Sequence, residues 1–167
     1  LCQQYHLNPD LPLFSFIGRF ASEKGADMLP DIIRRSIQET EGELNFMVLG
    51  SGNLHLEYVL KELQKEFNVN FALDLGYKEH LSHQIYASSD FLLMPSLYEP
   101  CGLNQLIAMS CGSVPVVHLV GGLADTVRNI DKYESEHFPI ELPDPIEAIK
   151  FRMEQLNYSQ NDLAEVI

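Results

Sequence analysis

The chain has 167 residues, of which 46% are hydrophobic and 21% charged, and this composition fits a single globular domain with a core of its own. The formal net charge is -13, from 24 acidic and 11 basic residues, which argues against general binding to nucleic acid or to anionic membranes. No apolar run approaches the roughly 20 residues of a membrane span.

The start of the chain carries no recognisable targeting signal. It begins with Leu1 rather than Met, so we expect an excised or processed part of a longer chain. The three cysteines, Cys2, Cys101 and Cys111, have no C-x-x-C spacing and predict neither a zinc site nor a disulfide framework. They favour a reducing compartment such as the cytoplasm.

Short apolar runs alternate with amphipathic stretches of helical period. In chain order the pattern predicts a strand at 13–17, a helix at about 26–40, a strand at 46–49, a helix at about 54–67, a strand at 69–75, a helix at 80–88, a strand at 91–94, a helix at 103–110 and a strand at 114–117. After a polar stretch at 131–144, a further helix is expected at about 145–158.

Short, almost continuously apolar strands separated by helices are typical of parallel βαβ units. We therefore predict an α/β fold, a Rossmann-like, doubly wound parallel sheet. Ligands of such folds bind at the carboxyl ends of the strands. The loops at this edge are expected at 18–25, 50–53, 76–79, 95–103 and 118–123.

The loop after the first strand carries two cations. Gly18 lets the backbone approach a ligand, and Arg19 and Lys24 flank a tight turn from which both can reach one diphosphate. The order of residues is not that of a P-loop. Solvated surface charges are the alternative interpretation.

The next two loops give weaker signals. Gly50 and Gly52 form a G-x-G, but His55 stands where a dinucleotide fingerprint needs glycine, so a simple tight turn is favoured. Tyr77 could stack on a nucleobase, or pack locally. His80 and His83 have a metal-binding spacing without a nearby acid, so no metal site is predicted.

The loop after the fourth strand places Glu99 at the mouth of the sheet, just before a helix N-terminus that favours anions. A carboxylate there suits sugar hydroxyls, or positive charge developing on a sugar carbon. Helix capping is the alternative role. Cys101 has no histidine near it in sequence and is interpreted as a packing or backbone-contributing residue, not as a nucleophile.

Taken in order, these segments resemble bacterial glycogen synthases and plant starch synthases over about residues 11–130. The shared segments are 18–25, 49–52, 76–77, 81–90, 95–103 and 121–127, of which Glu99-Pro100-Cys101-Gly102-Leu103 followed by Gly121-Gly122-Leu123 is the most specific.

The resemblance implies a GT-B fold, two Rossmann-like domains facing a cleft, and identifies 1–167 as the C-terminal, nucleotide-sugar-binding domain. It implies transfer of glucose from ADP-glucose, or from UDP-glucose in some members, to an α-1,4-glucan with retention of configuration, in the cytoplasm or in a plant plastid. The N-terminal, acceptor-binding domain is expected outside this chain, so the chain alone is expected to be inactive.

By similarity, Arg19 and Lys24 neutralise the diphosphate without a metal or another cofactor, Tyr77 lies by the adenine and Glu99 faces the glucose. The backbone at three positions is implied to hold sugar hydroxyls and phosphate: Cys101, Gly102 and Leu103. The other implied nucleotide-sugar-binding positions are Gly18, Gly50, Gly52, Asn104, Gly121, Gly122 and Leu123.

The sequence departs from the family in two places. Asn104 and Gln105 stand where a hydroxyl residue often precedes the glutamine, which alters one expected phosphate contact. After Arg128 the usual glycine-phenylalanine turn is not clear. Two alternatives to the main hypothesis are a GT-B transferase for another nucleotide sugar and a non-catalytic Rossmann-like binding domain.

Overall fold

The computed structural model describes residues 1–126. The helix expected at 145–158 and the departure after Arg128 lie outside the described residues. Leu1–Asp125 form one compact unit. That 1–167 is a single domain stays a prediction.

The described unit is a five-stranded, wholly parallel sheet with strand order β3-β2-β1-β4-β5. The strands are β1 Leu13–Phe20, β2 Asn45–Gly52, β3 Phe71–Leu75, β4 Phe91–Met94 and β5 Val114–Val117. The helices are α1 Leu29–Glu39, α2 Leu54–Glu66, α3 Glu79–Ser88 and α4 Asn104–Ser110. Short 3-10 turns lie at Cys2–Tyr5, Ser22–Lys24 and Ala26–Met28, and residues 121–126 are helical. The predicted α/β, doubly wound fold is confirmed.

The central strands are longer than predicted. β1 and β2 pair without interruption from Leu13 opposite Asn45 to Phe20 opposite Gly52. The loops predicted to begin at Gly18 and Gly50 therefore begin later, since parallel pairing keeps these residues in the strands. β3 begins later than predicted, at Phe71. The side-chain Nδ2 of Asn70 donates to the carbonyls of Gly42 and Leu44, so Asn70 belongs to the turn before β3 and not to the strand.

Both faces of the sheet are covered, which explains the apolar runs of its strands. On one face, α1 and α2 pack through Ile33 and Leu60 against Phe46 of β2. On the other face, Ile85 of α3 packs against Met47. Within residues 1–126, none of the helices is long and apolar enough to cross a membrane.

The direction of winding changes between β1 and β4. From β1 the chain builds outward through β2 to β3, and then returns to add β4 and β5 on the other side of β1. The loops after β1 and β4 therefore leave the same edge of the sheet in opposite directions and open a crevice between them. This crevice is where the candidate residues meet.

Two leucines of α2 provide a test of the packing. Leu60→Ala should lower the free energy of unfolding by about 2–5 kcal/mol, because Leu60 is 0% exposed and its loss leaves a cavity against the sheet. Leu54→Ala, on the same helix but 79% exposed, should change it by less than about 0.5 kcal/mol. Denaturant unfolding of both variants checks this, and equal losses would contradict the described core.

Candidate functional site

An ion pair joins the loops after β1 and β4. Lys24 Nζ donates to Glu99 Oε2 at 2.5 Å, and Ser96 Oγ donates to the same oxygen at 3.2 Å. The side chains of Lys24 and Glu99 are 26% and 10% exposed, so the pair is only partly screened by water. The structure thus brings together two predicted residues that lie 75 positions apart.

The backbones of the same two loops are also in contact. The amides of Leu97 and Tyr98 both donate to the carbonyl of Glu23, at 3.0 and 3.1 Å. Gly25 has a φ of +63°, and a Cβ atom there would lie 2.0 Å from the carbonyl oxygen of Pro95. Only glycine fits this position, since both the left-handed backbone and the close approach exclude a side chain.

The loop after β5 supports the Glu99 loop from the other side. The amide of Gly122 donates to the carbonyl of Glu99 at 2.7 Å. A Cβ atom at Gly122 would lie 2.4 Å from the carbonyl oxygen of Cys101. The Nδ1 atom of His118 lies 3.0 Å from the carbonyl oxygen of Ser96. The loop after β5 therefore holds the backbone of the loop that carries Glu99, while Lys24 and Ser96 hold its carboxylate.

A cavity of about 390 Å³ lies at the carboxyl ends of β1, β2 and β3, and neither Lys24 nor Glu99 is among its lining residues. Five predicted residues line it: Gly18, Arg19, Gly50, Tyr77 and Asn104. At its rim Tyr77 is 87% exposed. Arg19 is also exposed and pairs with Glu23 Oε1 at 2.9 Å.

The start of α4 is tied to β1 through a side chain. Asn104 Nδ2 donates to the carbonyl of Ile17 at 2.9 Å, and the buried Gln105 donates to the carbonyl of Gly102 at 2.8 Å. Asn104 thus lines the cavity while its side-chain amide ties the start of α4 to β1. Leu103 precedes it and is exposed, as is Cys101.

Seven predicted residues belong neither to the cavity lining nor to the ion pair: Gly52, Cys101, Gly102, Leu103, Gly121, Gly122 and Leu123. Leu123 is 0% exposed and packs with Leu92 and Ala108 in the core, because the helical turn at 121–126 directs it inward. Gly52 ends β2 beside the backbone of Phe20. Its neighbour Asn53 lines a second cavity of about 300 Å³.

Some contributing residues were not anticipated from the sequence. Ser96 and His118 support Glu99, and Lys78 lines the cavity next to Tyr77. Serine and histidine in loops are too common to be singled out. The strand-end position of Ser96, three residues before Glu99, was the available signal.

The pKa values of two tyrosines and one aspartate in or next to the cavity wall differ from their usual values. Burial raises the pKa of Tyr86, a lining residue, to about 12. Burial and the hydrogen bond to Asp74 raise the pKa of Tyr5 to about 12. Burial opposes ionisation of Asp74, but hydrogen bonds from Lys78 and Tyr5 outweigh it and lower the pKa of this carboxyl.

The arrangement suits an anionic ligand with an extended body. The cations Arg19 and Lys78 line the cavity and Lys24 lies in the Glu99 pair, and each is held by a carboxylate. The exposed ring of Tyr77 also belongs to the lining. His80 and His83 are exposed. Among residues 1–126, no group of three or more His, Cys, Asp or Glu side chains is placed to hold a metal ion.

Comparisons of the sequence with protein families and with known proteins both point to glycosyl transferases. The profile of the family described as "Glycosyl transferases group 1" matches residues 12–153. The chain is 50% identical over 127 residues to the glycogen synthase of Flavobacterium johnsoniae, a match that covers 76% of this chain and 27% of that protein. It is 37% identical over 161 residues to the glycogen synthase of Clostridium perfringens, covering 96% of this chain and 30% of that protein.

Among solved structures, the chain is similar to the catalytic domain of starch synthase IV from Arabidopsis thaliana bound to ADP and acarbose. The TM-score is 0.70 at 26% sequence identity, and the match covers 98% of this chain and 36% of that one. The chain thus spans less than a third of the length of the two bacterial relatives named above.

The contact of Gly25 with Pro95 can be tested against a second glycine. Gly25→Ala should lower the free energy of unfolding by about 1–3 kcal/mol more than Gly112→Ala, since overpacking adds to the backbone strain. Gly112 has a φ of +83° but no atom within 4 Å of an added Cβ, so its variant measures the strain alone. Denaturant titrations of both variants decide the point; equal losses would show that the loops do not meet there.

Proposed function

The chain belongs to the group 1 glycosyl transferases, within the glycogen and starch synthases, and from this premise we propose that it is the donor-binding part of a retaining glucosyltransferase. In the proposed reaction, glucose passes from ADP-glucose to the non-reducing end of an α-1,4-glucan. The observation that carries the proposal is the Lys24–Glu99 pair, which lies at the switch point of the sheet beside a cavity of nucleotide size.

The donor is proposed to occupy the cavity with its base near Tyr77 and its diphosphate near Arg19 and Lys24. A chain with a net charge of -13 repels anions in general, so an anionic donor depends on local cations. Arg19 offers a two-pronged guanidinium and Lys24 a point charge. The similarity to an ADP-bound starch synthase supports ADP as the nucleotide.

Glu99 is proposed to act on the glucose. When the bond between the sugar carbon and the diphosphate oxygen breaks, negative charge grows on the leaving group and positive charge on the carbon. Lys24 and Arg19 then stabilise the diphosphate, without a metal, while Glu99 stabilises the carbon. The pair needs little reorganisation for this, because Ser96 and Lys24 already hold the carboxylate in place.

The proposal assigns the acceptor glucan to a part of the protein other than residues 1–126. The chain spans 27% and 30% of the two bacterial relatives. A donor half alone does not exclude water or align an acceptor, so we expect negligible transfer by this chain by itself. Neither nucleic acid nor a membrane is a proposed partner, and the three free thiols fit a cytoplasmic location.

Loss of either cation should weaken nucleotide binding. Arg19→Ala and Lys24→Ala are each expected to reduce the free energy of ADP binding by about 1.5–3 kcal/mol, the scale of a charge-assisted hydrogen bond. Arg35→Ala is the matched control, because Arg35 forms a similar surface pair with Glu39 on α1 and lies outside the cavity lining. Calorimetric titration checks this. Binding that neither cation affects would overturn the diphosphate assignment.

Glu99→Gln separates catalysis from binding. In the full-length enzyme we expect kcat to fall far more than donor affinity, because the carboxylate acts on charge that exists only in the transition state. Steady-state kinetics with ADP-glucose, together with a direct measurement of ADP affinity, distinguish the two effects. Equal losses in turnover and in affinity would make Glu99 a ground-state binding residue instead.

A further inference from the structure

A chain of two short hydrogen bonds, from Tyr5 to Asp74 and from Lys78 to Asp74, ends at a residue that lines the cavity, Lys78. Tyr5 Oη donates to Asp74 Oδ2 at 2.7 Å, and Lys78 Nζ donates to Asp74 Oδ1 at 2.6 Å. Tyr5 belongs to the 3-10 turn before β1, Asp74 to β3, and Lys78 to the loop that follows β3. Sixty-nine sequence positions separate Tyr5 from Asp74, so this contact joins distant segments.

Lys78 occupies a place that is electrostatically unfavourable for a cation. It is the residue before α3, and the N-terminus of a helix carries partial positive charge. Asp74 offsets this repulsion, since its carboxylate is ionised and its side chain is only 16% exposed. Tyr5 in turn binds the other oxygen of Asp74, which leaves the carboxylate a single orientation.

Within residues 1–126, backbone hydrogen bonds hold the segment Gly76-Tyr77-Lys78 at its two ends. The amide of Gly76 donates to the carbonyl of Gly50 at 2.9 Å, and the carbonyl of Lys78 accepts from Ser82 at 2.9 Å. Tyr77 between them is 87% exposed. All three residues line the cavity and form one of its walls, so the position of the segment sets the shape of the cavity there.

We propose that Asp74 and Tyr5 are positioning residues for the donor nucleotide: they hold Lys78, and with it the Gly76-Tyr77-Lys78 wall, in the geometry that receives the base end of ADP. The proposal rests on the proposed function, because it assumes that this cavity takes a nucleotide. Neither residue touches the ligand. Their effect passes through Lys78 and the backbone of the wall.

The test compares Asp74→Asn and Tyr5→Phe with the unchanged 167-residue chain. Both substitutions nearly conserve shape. Glu62→Gln is the control, because Glu62 forms a comparable pair with Lys65 at 2.7 Å on α2 and lies outside the cavity lining. For each protein, calorimetry measures the dissociation constants of ADP and of pyrophosphate, and amide hydrogen exchange is followed at Gly76 and Ser82, whose N–H groups form the two bonds that anchor the segment.

Asp74→Asn should raise the dissociation constant of ADP roughly two- to fivefold, the range of a partly exposed ion pair, and Tyr5→Phe should shift it in the same direction. Pyrophosphate has no base, so its dissociation constant should stay unchanged. The amides of Gly76 and Ser82 should exchange faster in both variants, and Glu62→Gln should change none of these quantities.

Unchanged exchange, or equal weakening of ADP and pyrophosphate, would overturn the positioning role. Failure of the proposed function gives a different result, namely an unchanged chain that binds neither ligand. In that case the exchange rates alone decide whether Asp74 and Tyr5 hold the wall: faster exchange in the variants supports it, and equal exchange rejects it.

Discussion

The structure at the carboxyl edge of the sheet depends on the meeting of the loops after β1 and β4, at the pair of Lys24 with Glu99. Removing two charges from water costs free energy, and their mutual attraction offsets that cost only while both are present. Neither residue can therefore be lost without leaving a poorly solvated charge behind. The backbone contact of Gly25 with Pro95 holds the two loops, and with them Lys24 and Glu99, close together. The contact that shapes the crevice therefore also places the charged side chains of the proposed site.

The sheet topology explains why these loops are free to meet. Since β1 and β4 are neighbours from which the chain winds in opposite directions, no crossover helix fills the space between their carboxyl ends. The cavity extends from there along the ends of β2 and β3, toward Tyr77. Glu99, Arg19 and Lys24 thus lie near the ends of β1 and β4, while Tyr77 and Lys78 lie after β3. In the proposed function, the first group faces the sugar and the diphosphate, and Tyr77 faces the base.

Much of this architecture could be predicted from the sequence, because strand and helix periods are local properties. The predicted strands at 91–94 and 114–117 agree with β4 and β5, and the loop that carries Glu99 follows β4 as predicted, whereas Arg19 lies within β1. Contacts between distant segments could not be predicted in this way. No sequence pattern around Tyr5 indicates its hydrogen bond to Asp74. Leu123 lies in a segment shared with the family, but its side chain packs in the core because the helical turn at 121–126 directs it inward.

The most direct test of the account is a titration of the isotope-labelled chain with ADP, followed by amide chemical shifts residue by residue. The account predicts saturable changes that are largest at residues 18–25, 76–78 and 95–104. These ranges contain the cations Arg19 and Lys24, the Gly76-Tyr77-Lys78 wall and the loop that carries Glu99. Changes confined to the second cavity, around Asn53 and His55, would contradict it. So would the absence of any change at high ADP concentration.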